Sequence, residues 1–329
     1  MTLHDPQAIL AAAQVPTPLL DLPALARLAG VRQVLVKDEG HRPLGNFKVT
    51  GGLAAGLRAL ERSGPGGPAR LVCASDGNHG LAVAAAARAR GAQAWIFLPA
   101  HAGEDRARRI ADLGAEVVRV EGTYDAAVEA ARAAARDGAG LLIPDTSDDP
   151  DDPVVADVMA GYGVMARELV RELAVGAPTH LFVQAGVGGL AAALAEGLAD
   201  PFPAMRIVVV EPELAACVGP ALALGRPVQV DGDLDTCAEM LACGLASAGA
   251  VRILLARRAQ AITVDESALA SAPRQLALAG GPVSTASGAA GLAGLLRTAT
   301  DPSLRTELAL DGASRVLLVA TERALDAPA

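Results

Sequence analysis

The sequence is poor in aromatic side chains and in cysteine. The first shortage excludes an aromatic core, and the second argues against a zinc site or a disulfide framework. Aromatic residues make up 2% of the 329 residues and hydrophobic residues 52%, so the core must be built from Ala, Leu and Val. Small apolar side chains allow helices to pack closely on sheets, which favours a layered α/β architecture. The cysteines show no C-x-x-C spacing, which predicts reduced, mostly buried thiols and no zinc site. They are Cys73, Cys217, Cys237 and Cys243.

Positive charge is also in short supply. The chain has 28 Lys and Arg against 37 Asp and Glu, a formal net charge of −9. Nucleic acids bind clustered Lys and Arg, so this balance argues against a nucleic-acid partner. No apolar run is long enough to span a bilayer, and the polar residues 1–5 do not resemble the start of a signal peptide. We therefore expect a cytoplasmic protein that does not bind membranes.

What is present is a regular alternation of short apolar runs and helical patterns, which is typical of a parallel sheet covered by helices on both faces. The predicted strands are 34–37, 71–74, 94–98, 116–120, 141–143, 180–184, 207–210, 261–264 and 316–319. The predicted helices are a short one before the first strand, one beginning at Val49, 81–90, 104–113, 124–136, 154–173, one after Gly189, 266–278 and 288–296.

The length is sufficient for two packed domains. An acidic loop at 145–152, with prolines in and beside it, is the best candidate for a crossing between them. We predict a small α/β domain over 68–152 and a large α/β domain over 1–67 and 153–329. Ligands of such folds bind at the carboxyl ends of the strands, which predicts a site in the cleft between the domains.

Lys48 lies on a glycine-bracketed turn that opens a helix. Apolar positions recur at helical spacing from Val49 until the sequence SGPGGP at 63–68 ends the pattern. The dipole and the unpaired N–H groups of a first helical turn disfavour a cation, so we expect a lowered amine pKa for Lys48. A neutral amine can attack a carbonyl carbon. Taken alone, however, Lys48 is better explained as a surface lysine at a helix start.

A second motif, SDGNHG at 75–80, lies between a predicted strand and a predicted helix. Its two glycines permit a tight turn in which backbone N–H groups can converge on an anion, and Asn78 adds a side-chain amide. An ordinary strand-to-helix turn would satisfy the same residues equally well.

The third motif, QAGVGGL at 184–190, also joins a strand to a helix, and its glycines let the backbone approach a phosphate. The spacing of Gly186, Gly188 and Ala191 also fits a loose dinucleotide fingerprint, with Glu211 placed as a ribose-binding acid. This motif alone does not choose between the two ligands. A dehydrogenase would leave Lys48 and the 75–80 turn without a role. A fourth element, Ser287, opens a late helix and by itself is best explained as an N-cap.

Taken in order, these motifs resemble those of the fold-type II pyridoxal-phosphate enzymes, which include the serine and threonine dehydratases. Within that family the resemblance is greatest to the diaminopropionate ammonia-lyases. It implies two open, doubly wound, mostly parallel-sheet domains like those of tryptophan synthase β, with the active site in the cleft. It also implies pyridoxal 5'-phosphate as cofactor and a homodimer. The matching segments are 17–19, 37–39, 45–48, 76–80, 122–125, 145–147, 161–162, 184–189, 210–212 and 287–291.

The resemblance also assigns roles to residues. Lys48 would hold the cofactor covalently, Asn78 would contact its ring hydroxyl, and Ser287 would face its pyridine nitrogen. The backbone of the glycine loop would hold the phosphate: Gly186, Val187, Gly188, Gly189 and Leu190. The substrate carboxylate would be received by the turn that contains Ser75, Asp76, Gly77 and His79. Asp76 and Asp145 would carry out acid–base work and recognise the substrate amine.

The implied activity is that of a carbon–nitrogen lyase of amino acid metabolism, which eliminates ammonia from 2,3-diaminopropionate to give pyruvate. A carboxylate beside the departing ammonium can mediate the proton transfer that this reaction needs. Within the family, a serine or threonine dehydratase and a biosynthetic β-replacement enzyme remain alternatives. Outside it, an NAD-dependent dehydrogenase is the alternative. We expect no metal, because the spacing of the acidic run at 148–152 fits no calcium loop.

Overall fold

The computed structural model describes residues 6–64, 66–67, 70–75, 77–173 and 176–324. These residues form two compact units. The first consists of the described residues up to Val15 and of Arg42–Val164; the second consists of Pro16–His41 and the described residues from Met165 onward. The segment 68–152, predicted as the small domain, lies within the first unit. Its boundaries and those of the large domain stay predictions.

The described elements follow the predicted alternation of strands and helices. The strands are β1 (Leu19–Asp21), β2 (Gln33–Asp38), β3 (Arg70–Ala74), β4 (Gln93–Pro99), β5 (Glu116–Val120), β6 (Leu141–Leu142), β7 (His180–Gln184), β8 (Arg206–Pro212), β9 (Gln260–Val264) and β10 (Arg315–Ala320). The helices are α1 (Pro6–Ala12), α2 (Pro23–Ala29), α3 (Lys48–Ser63), α4 (Asn78–Ala89), α5 (Glu104–Asp112), α6 (Tyr124–Arg136), α7 (Pro153–Glu172), α8 (Gly189–Gly197), α9 (Val218–Leu224), α10 (Ala248–Ala256), α11 (Glu266–Leu278), α12 (Ala286–Thr300) and α13 (Pro302–Glu307). The edge strand β1 and the helices α1, α9, α10 and α13 were not predicted.

The first unit is built on a sheet whose described strands run in the order β5-β4-β3-β6, all parallel. Helices α3 and α4 pack on each other through small residues. A Cβ atom on Gly56 would come within 2.7 Å of the Ala86 side chain, and one on Gly52 would overlap Ala82. The shortage of large side chains therefore allows the two helices to approach each other closely.

The second unit has a sheet with the described order β1-β2-β10-β7-β8-β9, in which β1 is antiparallel to β2 and the remaining pairs are parallel. Every residue of β7 is buried, as expected for a strand covered on both faces. Helix α12 lies close to the sheet, because a Cβ atom on Gly291 would come within 2.8 Å of the Phe182 carbonyl oxygen. The prediction of an α/β fold with two mostly parallel sheets is confirmed.

Three further observations concern the described part of the chain. None of its helices combines the length and the apolar composition needed to cross a bilayer. It contains no group of three or more His, Cys, Asp or Glu side chains arranged to hold a metal ion. None of the four cysteines, all of which are described, forms a disulfide; Cys237 is exposed whereas the other three are buried.

Candidate active site

The chain contains two lysines, Lys37 and Lys48, and the structure gives them different environments. The Lys37 side chain is fully buried in the second unit. Its Nζ donates to the Thr17 carbonyl oxygen at 2.7 Å and lies 3.0 Å from Glu168 Oε2 and 2.8 Å from Glu172 Oε2. The Lys48 side chain, in contrast, is 23% exposed. Of the two lysine side chains, that of Lys48 is therefore the one that is open to solvent.

Lys48 is held at the start of α3 by the turn that precedes it. Leu44 and Gly45 both have positive φ angles, 68° and 79°. The buried Asn46 side chain bridges the turn, since its Nδ2 donates to the Leu44 carbonyl oxygen and its Oδ1 accepts the Lys48 N–H at 3.1 Å. Asn46 therefore satisfies the first donor of the helix and fixes where Lys48 stands. The predicted position of Lys48 is confirmed, whereas its lowered pKa stays a prediction.

Asp145 is the partner of Lys48 in the first unit. Lys48 Nζ lies 2.6 Å from Asp145 Oδ2, and the Tyr124 hydroxyl donates to Asp145 Oδ1 at 2.7 Å. The Asp145 side chain is 5% exposed. Each carboxylate oxygen thus has a donor, and Lys48 has the more exposed side chain of the pair. The structure brings these two predicted residues together.

The charge state of Asp145 follows from these contacts. Burial raises the pKa of the Asp145 carboxyl, but the Lys48 charge and the hydrogen bonds from Lys48 and Tyr124 outweigh burial. Its net pKa therefore lies below the ordinary value, and Asp145 is ionised at neutral pH. Such a group can hold a cation through charge-assisted hydrogen bonds.

The 75–80 turn opens α4, as predicted, but some of its donors are already engaged. The Ser75 hydroxyl oxygen accepts the N–H of Gly77 at 2.9 Å and that of Gly80 at 2.8 Å. His79 Nε2 lies 2.8 Å from the Ile143 carbonyl oxygen, and burial lowers the pKa of His79. The imidazole is therefore neutral and donates to Ile143, which ties α4 to the segment that precedes Asp145.

The structure describes Asn78 but not Asp76. Asn78 is the first residue of α4 and is half-buried. Asp76 lies outside the described residues. The predicted contacts of Ser75, Gly77, Asn78 and His79 with cofactor or substrate stay predictions.

In the second unit, the loop after β7 leads into α8 with glycines that its shape requires. Gly188 has a φ of 92° and precedes α8 without a capping side chain. A Cβ atom on Gly188 would lie 3.3 Å from Ala250 Cβ, and one on Gly186 would lie 3.0 Å from Cys243 Sγ. The helix start is consequently left to backbone N–H groups, which is the arrangement that binds a phosphate.

The dinucleotide interpretation fails at Glu211. This residue is fully buried. Its Oε1 accepts the N–H of Val218 at 2.6 Å and its Oε2 accepts that of Gly219 at 2.7 Å. Burial raises the pKa of Glu211 to about 7, although these backbone hydrogen bonds partly offset the increase. A carboxylate bound in this way to the start of α9 is not available to a ribose.

Ser287 is not the N-cap of α12, so that interpretation was wrong. The N-cap is Thr285, whose hydroxyl oxygen accepts the Gly288 N–H at 2.9 Å. Ser287 lies in the first turn, 3% exposed, and its Oγ accepts the backbone N–H of Met240 at 3.1 Å. Because that bond uses Oγ as an acceptor, the serine's own proton can be donated to another group.

One residue of the first unit belongs to this site although its role was not predicted. Tyr124 is the first residue of α6, is 8% exposed and is bonded to Asp145. The segment 122–125 was recognised as a family match, but a separation of 21 residues gives no signal of a contact. Only the fold of the first unit brings the two side chains together.

Comparisons with known proteins agree with one another. The sequence profile of the family described as "Pyridoxal-phosphate dependent enzyme" matches residues 10–322. Diaminopropionate ammonia-lyase of Escherichia coli K12 is 33% identical over 338 aligned residues, which cover 93% of this chain and 84% of that protein.

Solved structures give the same result. The crystal structure of the E. coli diaminopropionate ammonia lyase in complex with an aminoacrylate-PLP azomethine reaction intermediate matches with a TM-score of 0.84 at 30% identity and covers 99% of this chain and 91% of that one. The crystal structure of threonine deaminase from T.th. matches with a TM-score of 0.80 at 28% identity and covers 98% of this chain and 99% of that one.

Proposed function

The chain belongs to the fold-type II family of pyridoxal-phosphate dependent enzymes, and from this premise we propose that it converts 2,3-diaminopropionate and water to pyruvate and two molecules of ammonia. The observation that carries the proposal is the 2.6 Å contact between Lys48 Nζ and Asp145 Oδ2. It places an accessible amine beside a carboxylate that is ionised at neutral pH. The sequence identity of 33% with the E. coli diaminopropionate ammonia-lyase supports the choice of substrate.

The residues present fit pyridoxal 5'-phosphate, which is the cofactor of this family. The Lys48 amine is the group that would bind its aldehyde carbon. The loop from Gly186 to Leu190 would bind its phosphate, since Gly188 takes a backbone conformation that favours glycine and keeps side chains away from the start of α8. We assign Asn78 to the ring hydroxyl, in accord with the family resemblance.

Ser287 is the proposed partner of the ring nitrogen. Because the Met240 N–H donates to its Oγ, the hydroxyl proton is left to be donated to an acceptor. A hydroxyl group, unlike a carboxylate, does not force a ring nitrogen to take up a proton. This favours prompt elimination over the slower reactions that a protonated ring supports.

The protein groups then divide the proton transfers among themselves. When bound, the cofactor supplies an electron sink for the bond broken at the α-carbon of the substrate. The Lys48 amine would take the α-proton of the substrate. Asp145 can hold the β-ammonium group, and a nitrogen that departs from the ammonium form leaves as neutral ammonia. The substrate carboxylate is assigned to the turn of Ser75, Gly77 and His79.

The charge on Asp145 also bears on which substrate is preferred. An ionised carboxylate forms a charge-assisted hydrogen bond with the β-ammonium of diaminopropionate, whereas it forms a weaker bond with the hydroxyl of serine or threonine. The difference amounts to about 1.4 kcal/mol, or about tenfold in kcat/KM. Dehydration of hydroxy amino acids is the second candidate function, which the similarity to threonine deaminase supports.

Steady-state kinetics test the proposal. The holoenzyme is given D- and L-diaminopropionate, L-serine and L-threonine, and the oxo acid and ammonia are measured. We expect diaminopropionate to have a kcat/KM about tenfold or more above that of either hydroxy amino acid. A preference for serine or threonine would instead establish the second candidate function.

Asp76 is the proposed second acid–base group, and the two acids would serve different enantiomers. We expect Asp76→Asn to impair one enantiomer of diaminopropionate far more than the other. Equal losses for both enantiomers would contradict separate roles.

We further propose that the enzyme acts as a homodimer in the cytoplasm. The family resemblance supports the dimer, and four cysteines that form no disulfide are consistent with a reducing compartment. Light scattering of the holoenzyme would give a mass near twice 33.1 kDa, and cell fractionation would recover the activity with cytoplasmic markers. A monomer mass or periplasmic recovery would contradict these points.

A further inference from the structure

Tyr124 is bonded to the proposed catalytic carboxylate, yet the chemistry assigned above gives it no task. Its hydroxyl donates to Asp145 Oδ1 at 2.7 Å, while Lys48 occupies Oδ2 at 2.6 Å. We propose that Tyr124 is a positioning residue for Asp145, which holds Oδ1 so that Oδ2 faces the Lys48 amine. The proposal rests on the role given to Asp145 in the proposed function.

The Tyr124 ring is itself fixed in position, so its hydroxyl can restrain the Asp145 side chain. It stands at the start of α6, where the Thr123 hydroxyl oxygen accepts the Ala126 N–H, and Gly122 forms the preceding turn with a φ of 103°. It is buried and lines a cavity in the first unit together with apolar and polar side chains of α6 and of the segment after β6. Asp145 and Arg132 line the same cavity.

The backbone before Asp145 is fixed independently of Tyr124. The Ile143 N–H donates to the Val72 carbonyl oxygen of β3 at 2.7 Å. The Ile143 carbonyl oxygen lies 2.8 Å from His79 Nε2. The main chain two residues upstream is thus held on both sides, which leaves the rotation of the carboxylate itself to be set by Lys48 and Tyr124. When Lys48 is engaged elsewhere in the reaction, Tyr124 is the donor that remains.

Other charged and titratable groups surround Asp145 without being hydrogen-bonded to its carboxylate in the described residues. They are Cys73 on β3, His79 on α4, Arg132 on α6 and Tyr162 on α7. Removing the Tyr124 hydroxyl would leave a buried, ionised carboxylate oxygen without its donor, and hydrogen bonds to charged groups are stronger than those between neutral groups. We expect the Asp145 carboxylate to be misoriented as a result. The departure of the β-ammonium group that Asp145 would hold should then become slower.

Tyr124→Phe tests the inference, and Tyr162→Phe is a matched control because these are the two tyrosines of the chain. Tyr162 is buried near the same charges and packs against Phe47 with ring centroids 4.9 Å apart. For the holoenzyme with its best amino acid substrate, we expect Tyr124→Phe to lower kcat by about 10- to 100-fold and to change KM by less than about threefold. Tyr162→Phe should change kcat by less than about threefold.

A double-mutant cycle shows whether Tyr124 acts through Asp145. The expected result is that Tyr124→Phe has no further effect on kcat once Asp145→Asn is present. In the Tyr162→Phe background, 3-fluorotyrosine labels Tyr124 alone, and its ¹⁹F resonance should shift when Asp145→Asn is added. This spectrum does not depend on activity and keeps the test valid if a variant is too slow to assay.

Three results would overturn the inference: an unchanged kcat in Tyr124→Phe, losses that multiply with those of Asp145→Asn, or a ¹⁹F resonance insensitive to Asp145. These failures are distinct from failure of the proposed function. An enzyme that prefers serine but shows the expected cycle refutes the diaminopropionate assignment and retains the positioning role. An enzyme that prefers diaminopropionate, but in which the losses from Tyr124→Phe and Asp145→Asn multiply, retains the diaminopropionate assignment and refutes the positioning role.

Discussion

Two lysines of the same sequence have opposite environments, and that contrast defines the site. Lys37 is enclosed by Glu168 and Glu172 and is fully buried, whereas Lys48 keeps an accessible amine beside Asp145. A buried ion pair is stable when both partners remain, so Lys37 has a structural role. The chemistry that needs an accessible amine therefore falls to Lys48.

The assignment of Lys48 predicts where the cofactor becomes attached. After borohydride reduction of the holoenzyme, the pyridoxyl group should be found on the peptide that contains Lys48 and not on the one that contains Lys37. Lys48→Ala should remove the label and the turnover while the protein remains folded, as judged by circular dichroism. A label on the Lys37 peptide would contradict the assignment.

Because the pKa of the buried Glu211 is raised, the free energy of unfolding should depend on pH. Its pKa is raised from 4.5 to about 7 in the folded state, so its protonated form is favoured by folding. The associated stability is fully present below about pH 4.5 and is lost as the pH rises through 7. In chemical denaturation from pH 5 to pH 8, the free energy of unfolding should fall by about 2–3 kcal/mol more in the wild type than in Glu211→Gln.

The exposed neighbour Glu213 supplies the control for that measurement. Glu213→Gln should follow the wild-type curve at every pH. If Glu211→Gln also runs parallel to the wild type, the buried carboxyl does not titrate in this range.

At the scale of elements, the turn between β7 and α8 depends on glycine. Gly188 has a φ of 92° and lies against Ala250, whereas Gly225, after α9, has a φ of 74° and open space where a Cβ atom would lie. Both substitutions to Ala cost about 1–2 kcal/mol of backbone strain. We expect only Gly188→Ala to weaken binding of pyridoxal 5'-phosphate by about tenfold or more, because it alone displaces the loop that would hold the phosphate.

Fluorescence titration of the cofactor-free protein with pyridoxal 5'-phosphate measures the difference. Equal affinities for Gly188→Ala and Gly225→Ala would mean that the loop after β7 does not hold the phosphate.

Some helices and strands were predicted from the sequence and others were not. Long periodic segments such as α3, α6 and α7 were predicted because their apolar spacing is unambiguous. The three-residue strand β1 has too few positions to show a period, and its pairing with β2 depends on tertiary context. Thr285 and Ser287 are both of residue types that cap helices; the sequence alone favoured Ser287, whereas the structure has Thr285 as the N-cap of α12.

At the scale of the whole molecule, the sequence reveals the features of the two units to different degrees. The glycine turns and the accessible lysine follow from local sequence together with burial. The bond between Tyr124 and Asp145 depends on the packing of α6 against the first sheet, which no local pattern encodes. Tertiary structure likewise shows that Glu211 is not available as a ribose-binding acid, since its carboxyl accepts hydrogen bonds from the start of α9.

The proposed reaction requires that both nitrogen atoms of the substrate leave as ammonia. The ratio of ammonia to pyruvate released from diaminopropionate by the holoenzyme measures this, with Asp145→Asn assayed in parallel. We expect two ammonia per pyruvate in the wild type and a greatly reduced rate in Asp145→Asn. One ammonia per pyruvate, or no pyruvate while serine is converted, would refute the proposed reaction.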